Sequence, residues 1–185
     1  MICRTFQLLT IVIGLLAVAV AGNADQTDPR LPELFDSLKK AGDASDSREV
    51  ESQIWQIWLE APDSNADLLM RQVTQAMSSG QLALALRLSN QLVDSSPTYA
   101  EAWNKRATVH YLLGDDDQSV ADIRETLLLE PRHFGAISGL GLIFVRQGNM
   151  DAALDAFEQV LEITPASASA RQSIERVQRE LGREI

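Results

Sequence analysis

The chain has 185 residues, a formal net charge of −10 and 45% hydrophobic residues, which is enough for one domain with a short extension. Its acidic residues are dispersed along the sequence, a pattern typical of a solubilising outer surface, and Lys and Arg form no cluster. Because phosphate binding needs a basic stripe, this charge pattern disfavours nucleic acid as a partner.

Residues 1–24 have the three-part pattern of a secretory signal peptide. A basic start with Arg4 precedes the largely apolar run 6–20, and small residues follow it. The pattern predicts cleavage after Ala21 or Ala24 and a periplasmic or secreted mature chain without a membrane insertion. The alternative is an uncleaved signal that anchors the chain in the inner membrane, although the apolar run is shorter than the roughly 20 residues that span a bilayer.

The only cysteine, Cys3, lies at the start of this signal. It is not at the cleavage point, where a bacterial lipoprotein carries its cysteine, so we expect no lipidation. A mature chain without cysteine suits an oxidising compartment and excludes disulfides and thiolate chemistry.

Residues 25–30 lack apolar periodicity and are interpreted as a linker, and residues 31–65 as an atypical N-terminal helical hairpin. The apolar spacing predicts a short helix from Leu31 to Leu38. The spacing of Asp46 and Glu49 predicts a capping box for a second helix that stops near Pro62.

Glycine and proline recur with one period in the rest of the chain. Gly80, Gly114 and Gly148 are 34 residues apart, and so are three prolines, which are Pro97, Pro131 and Pro165. A fixed period of this length indicates a helical solenoid. Glycine supplies the left-handed residue that ends one helix, and proline ends the next because it cannot continue the hydrogen-bond ladder.

The period divides the chain into units 66–99, 100–133 and 134–167, each with two helices around its glycine. Residues 168–185 remain and are interpreted as a C-terminal capping helix that covers the last core edge. The predicted fold is therefore all-α, an α-solenoid of antiparallel helical hairpins with capping helices at both ends.

The middle unit resembles the tetratricopeptide repeat. Its Trp103, Ala107, Ser119, Ile123 and Pro131 occupy the positions of that repeat's Trp, small residue, Ala, aromatic residue and Pro. The third unit matches through Gly141, Phe144 and Phe157, among others, and the first unit matches less well. The resemblance covers three units, residues 66–167.

This resemblance implies a concave groove that is lined by the first helix of each unit and binds a protein partner. The groove positions are Asp67, Met70, Thr74, Met77, Glu101, Asn104, Thr108, Tyr111, Gly135, Ser138, Leu142 and Val145. Relatives that clamp chaperone tails carry Lys and Asn here, and only Asn104 and Lys105 come near that pattern, one step out of order. The apolar groove residues form an adaptable strip for an extended segment or a helix, or else they are buried in the superhelix or covered by the terminal helices.

The candidates for chemistry have structural interpretations. His110 lies at an interior position and is expected to be packed and hydrogen-bonded, whereas His133 follows Pro131 in a turn and is expected to be solvated. Neither has a second ligand at metal-binding spacing, so we predict neither a metal nor another cofactor. The run Asp115–Asp117 is expected to cap the next helix.

The sequence therefore predicts a non-catalytic adaptor, because no serine lies in a nucleophile elbow and no base is available to activate one. Its partner is expected to be a protein, of which the sequence indicates neither the identity nor the stoichiometry. The alternative is a structural or assembly factor of a cell-envelope complex.

Overall fold

The computed structural model describes residues 26–182, and every regular element in that range is a helix. The predicted signal, residues 1–24, lies outside the described residues. The helices are α1 (Leu31–Lys40), α2 (Ala44–Trp58), α3 (Ser64–Ser78), α4 (Leu82–Ser95), α5 (Ala100–Leu113), α6 (Asp116–Leu129), α7 (Phe134–Arg146), α8 (Met150–Ile163) and α9 (Ala168–Glu180). The all-α prediction is confirmed for this part of the chain.

The periodic glycines and prolines mark the helix boundaries as the sequence indicates. Gly80, Gly114 and Gly148 have φ values of 69°, 81° and 74°, the left-handed region in which a Cβ atom would be strained. Each glycine lies in the turn inside a hairpin. The helices α4, α6 and α8 each end two residues before a periodic proline. The period thus sets where every helix from α4 to α8 starts or stops.

Small residues allow the two helices of each hairpin to approach closely. Ala85, Ala107 and Ala153 are buried between paired helices. A Cβ atom built on Gly141 would lie 2.7 Å from Cε1 of Phe157, which is too close for a real contact. Successive hairpins then stack in line, with α4 on α5, α6 on α7 and α8 on α9.

The first hairpin, α1 and α2, does not continue this in-line stack. The packing that α4 makes on α5 is not repeated between α2 and α3, and α1 instead packs beside α8. The start of α2 also differs from the prediction: Asp43, rather than Asp46, caps the helix, because its carboxylate accepts the backbone N–H groups of Ser45 and Asp46 at 2.6 and 3.0 Å.

The first hairpin, together with the segment before it, crosses the turns that precede α5 and α7. Tyr99 donates its hydroxyl to the carbonyl of Trp58 at 2.9 Å, and the guanidinium of Arg132 lies 4.0 Å from the ring centroid of Phe35. Within the predicted linker, Gln26 bonds the carbonyl of Thr98 and the amide of Ala100. The hairpin therefore covers one edge of the solenoid along its length.

Two tryptophans of α2 form the centre of this contact. The ring of Trp58 stacks on His133 at 4.1 Å with an interplanar angle of 10°, and Trp55 meets Phe134 edge-on at 5.7 Å. Gly135 makes room for Trp55, because a Cβ atom there would lie 2.5 Å from Cζ2 of the indole. A glycine at the start of α7 is thus a condition for the hairpin to dock.

Replacement of Gly135 tests this docking. We expect Gly135→Ala to lower the free energy of unfolding by about 1–3 kcal/mol, because the packed indole has to move. The measurement is chemical denaturation followed by tryptophan fluorescence and helical circular dichroism.

Gly139→Ala is the matched control in the same helix, since its Cβ atom would meet only Ile123 Cδ1 at an ordinary 3.6 Å. Alanine favours a helix interior by roughly 0.5–1 kcal/mol over glycine, so this variant is expected to be neutral or more stable. Equal stability of the two variants would contradict the role assigned to Gly135.

Candidate functional site

A cavity of about 300 Å³ lies between α5 and α7. It brings together six of the residues that the sequence placed in the groove, which are Asn104, Thr108, Tyr111, Gly135, Ser138 and Leu142. They come from two successive units, with three from α5 and three from α7. The groove positions thus converge on one surface depression in this part of the chain.

The rest of the cavity wall is small and apolar. It includes residues that the groove positions did not contain, namely Ala107, Leu112, Ser119, Ile123, Ala136 and Gly139. Ser119 and Ile123 reach the cavity from α6, the second helix of the hairpin. Both lie on consensus positions of the repeat, so their inward orientation was predictable although their access to the groove was not.

Most polar side chains that line the cavity already donate a hydrogen bond to another group of the protein. The hydroxyls of Thr108 and Ser138 donate to backbone carbonyls one turn earlier, at 2.9 and 2.8 Å. The amide nitrogen of Asn104 donates to Glu101 Oε2 at 2.7 Å, which fixes the orientation of the amide. The cavity therefore offers hydrogen-bond acceptors and apolar surface, with few available donors.

An arginine holds Tyr111, one of the residues that line the cavity, in place. The guanidinium of Arg146 lies 3.9 Å from the ring centroid of Tyr111 and donates to the Tyr111 carbonyl at 2.9 Å. It also pairs with Asp116 at the start of α6.

The predicted capping of α6 by Asp115 is wrong. Asp115 directly precedes the helix, but its side chain makes no capping hydrogen bond.

The remaining groove positions lie elsewhere. Glu101 and Met70 are buried, at 1% and 5% exposure, rather than lining an open surface. Met77 and Val145 are half-buried against the hydrophobic clusters of their own units, and Thr74 is exposed on α3 away from the cavity. Coverage by the first hairpin explains Glu101, and packing against Leu69 and Leu92 explains Met70.

The structure also corrects His133, which is fully buried rather than solvated. Its Nδ1 accepts the backbone N–H of Ala136 at 3.1 Å and so caps α7. The ring proton therefore sits on Nε2, which faces Glu101 Oε2 at 3.1 Å. The imidazole connects Glu101 of α5 to the stacked Trp58 of α2.

Glu101 is a buried carboxylate with several partners. Burial raises its pKa, but hydrogen bonds from His133 and Asn104, with the charge of Lys105 at 3.4 Å, outweigh burial and leave the pKa below its usual 4.5. A carboxyl whose pKa is lowered by folding stabilises the fold above the unfolded pKa, and that contribution is lost as the pH falls through the folded value.

Glu101→Gln is expected to reveal this pH dependence. At neutral pH the variant should lose about 1.5–3 kcal/mol of unfolding free energy, because hydrogen bonds to a charged acceptor become neutral ones. The difference from wild type should shrink once the pH drops below about 4.5. Denaturant titrations from pH 7 to pH 3 measure both quantities.

The matched control is Glu49→Gln, a glutamate on the exposed face of α2. Its effect should remain within about 0.5 kcal/mol at each pH. A difference between wild type and Glu101→Gln that stayed constant down to pH 3 would contradict the assignment.

His110 occupies the interior position predicted for it, with 12% of its side chain exposed. The expected hydrogen bond is not formed: Nδ1 lies 3.5 Å from Asp115 and makes no hydrogen bond within the described residues.

Among residues 26–182, no group of three or more His, Cys, Asp and Glu is placed to hold a metal ion. No helix in the same range is long and apolar enough to cross a bilayer.

Comparison with known proteins matches the described solenoid to one family. The family model described as tetratricopeptide repeat matches residues 70–127 and 117–168. A TPR repeat-containing protein of Rhizobium etli is 34% identical over 78% of this chain and 71% of its own length. The small glutamine-rich tetratricopeptide repeat-containing protein 2 of Saccharomyces cerevisiae is 27% identical over 81% of this chain, which spans 44% of that protein.

Solved structures show the same fold. The first TPR of Spaghetti (RPAP3), bound to the HSP90 peptide SRMEEVD, superposes with a TM-score of 0.60 at 20% identity, covering 65% of this chain and 96% of that one. The MamA protein superposes with a TM-score of 0.58 at 20% identity, covering 81% and 80%. At these identities the likeness concerns the fold alone.

Proposed function

Because the chain belongs to the tetratricopeptide repeat family, we propose that it is a non-catalytic binding module whose cavity between α5 and α7 receives a peptide or helix of a partner protein. The observation that carries this proposal is the convergence of Asn104, Thr108, Tyr111, Ser138 and Leu142 on one cavity. A largely apolar depression with a few fixed polar groups is what a protein segment requires for anchoring and orientation.

Similar structures support a peptide as the ligand. The first TPR of Spaghetti holds an HSP90 peptide, and the TPR2B domain of yeast Sti1 was solved as a complex with pHsp70. The groove of this chain differs in character from a site for an anionic tail. Lys105 is half-buried and lies beside Glu101, and the cavity wall is mainly small and apolar, so an apolar side chain is the expected anchor.

A second candidate is a structural or assembly factor of a cell-envelope complex that binds through the opposite face. The feature that favours it is Leu128 on α6, which is 70% exposed beside a separate apolar depression that includes Leu127, Leu140 and Phe144. For the location of the protein, we propose that residues 1–24 direct export. Cleavage of this signal would leave a periplasmic or secreted chain, and retention would leave it anchored in the inner membrane.

Two leucine substitutions distinguish the candidates. Leu142 is 38% exposed in the cavity and Leu128 is 70% exposed on α6, so truncation to alanine removes the same atoms from two surfaces. We expect Leu142→Ala to lose at least tenfold in partner capture, since removing a central apolar anchor costs more than about 1 kcal/mol. Leu128→Ala should retain capture.

The measurement is affinity capture from the native organism's extract with full-length wild type and each variant as bait, quantified by mass spectrometry. Circular dichroism verifies that both variants remain folded. Capture that is lost in Leu128→Ala and kept in Leu142→Ala would overturn the groove and support the envelope alternative.

A further inference from the structure

Helix α9 has the place of the first helix of a fourth unit. Gly182 follows Gly148 by 34 residues and has the same left-handed conformation, with φ of 68°. Helix α9 packs on α8 as α7 packs on α6, and Ser167 caps its start, as His133 caps α7. The register of the solenoid therefore extends beyond the three predicted units.

The groove also extends toward α9. A second cavity of about 170 Å³ adjoins the first, and Ser138 and Leu142 line both of them. Its opposite wall comes from Ser169 and Ser173 of α9. A segment that leaves the cavity between α5 and α7 thus meets α9 next.

The chemistry of the groove changes at this helix. The period places Arg176 and Arg179 at the positions that Leu142 and Val145 have on α7. Both arginines are exposed, and neither forms an ion pair with any residue between 26 and 182, although Arg179 Nε donates to its own helix at the Glu175 carbonyl. In contrast, Arg146 and Lys105 at the other groove walls have carboxylate partners.

The glutamates of α9 within the described residues form no ion pair with these two arginines. Glu175 precedes Arg176 directly, about 100° away around the helix, and lies one turn before Arg179, but its carboxylate forms no ion pair with either arginine within the described residues. Glu180, one turn after Arg176, shares its face, but its carboxylate forms no ion pair with the described arginines. In a chain of net charge −10, two exposed guanidinium groups that form no ion pair within residues 26–182 thus lie at one end of the groove.

We propose that Arg176 and Arg179 bind an acidic side chain of the same partner segment whose apolar side chain enters the cavity between α5 and α7. This inference rests on the proposed binding function and specifies the ligand. Neighbouring helices lie about 8–10 Å apart, so α9 lies roughly one and a half spacings, about 12–15 Å, from the middle of the cavity between α5 and α7, and an extended chain advances about 3.3 Å per residue. The acidic residue is therefore expected about three to five residues from the apolar anchor.

A displayed library of random 12-residue peptides, selected on the full chain, tests this proposal. Parallel selections use the double variant Arg176→Glu, Arg179→Glu and the matched control Arg171→Glu. Arg171 is an exposed arginine on another face of α9, where it donates to the Pro165 carbonyl. Circular dichroism checks the fold of each variant, and the binding of single peptides to wild type, to these variants and to Leu142→Ala is then measured by fluorescence anisotropy at two salt concentrations.

We expect wild type and Arg171→Glu to select peptides with an Asp or Glu at the stated distance from a large apolar residue. These peptides should bind the double variant at least fivefold more weakly, and the difference should shrink at high salt because these charges are exposed. Selections on the double variant should lose the acidic preference.

Two results would overturn the inference. Peptides that depend on Leu142 but show no acidic preference would refute the role of α9 while leaving the binding function intact. An equal loss in Arg171→Glu would show a general effect of charge. If no selected peptide depended on Leu142, the proposed function itself would fail at this groove.

Discussion

The stack of Trp58 on His133, with Glu101 behind it, is the interaction on which the arrangement of the molecule depends. A carboxylate with 1% exposure is tolerated only when partners compensate its charge. His133 and Asn104 hydrogen-bond Oε2, the ammonium of Lys105 lies 3.4 Å from Oε1, which has no hydrogen bond within the described residues, and the indole of Trp58 excludes water from this group. The first hairpin is thus fixed to α5 and α7, and its position decides which groove residues are covered and which stay open.

The first hairpin covers one end of the concave surface and leaves the residues farther along α5 and α7 accessible. Trp55 closes the end near Gly135, where the turns before α5 and α7 lie. Tyr111 and Leu142, farther along their helices, remain accessible. A ligand can therefore approach from the side of the periodic glycines, with α9 as the next wall. The hairpin acts as a part of the site as well as a cover for the core.

The sequence was sufficient for the features that depend on local conformation. A glycine at a fixed period predicts a left-handed turn because other residues are strained there, and Gly80, Gly114 and Gly148 all have that conformation. The six groove residues that line the cavity were also predictable from their position within a unit. The period treats every unit alike, however, and so it could not distinguish Glu101 from an open groove residue.

What the sequence could not indicate depends on contacts between distant segments. Glu101 and His133 are 32 residues apart, and the indoles that cover them come from a hairpin with no matching period. His133 follows a proline in a turn, which usually means exposure. Its burial results from docking of the first hairpin. The sequence around Glu101 and His133 contains no local pattern that predicts this docking. The place of α9 as the first helix of a fourth unit could have been predicted, because Gly182 continues the period of the glycines by one more unit.

The crossing of the first hairpin has a consequence for how the chain unfolds. In an ordinary solenoid each repeat touches only its neighbours, so stability is a sum of local terms and the ends fray first. Here α1 packs beside α8, and Trp58 contacts the start of α7, so the first hairpin is tied to the last full unit. Separation of either end then disrupts contacts at the other. A linear array with this closure should lose its helices in a single cooperative transition instead of repeat by repeat.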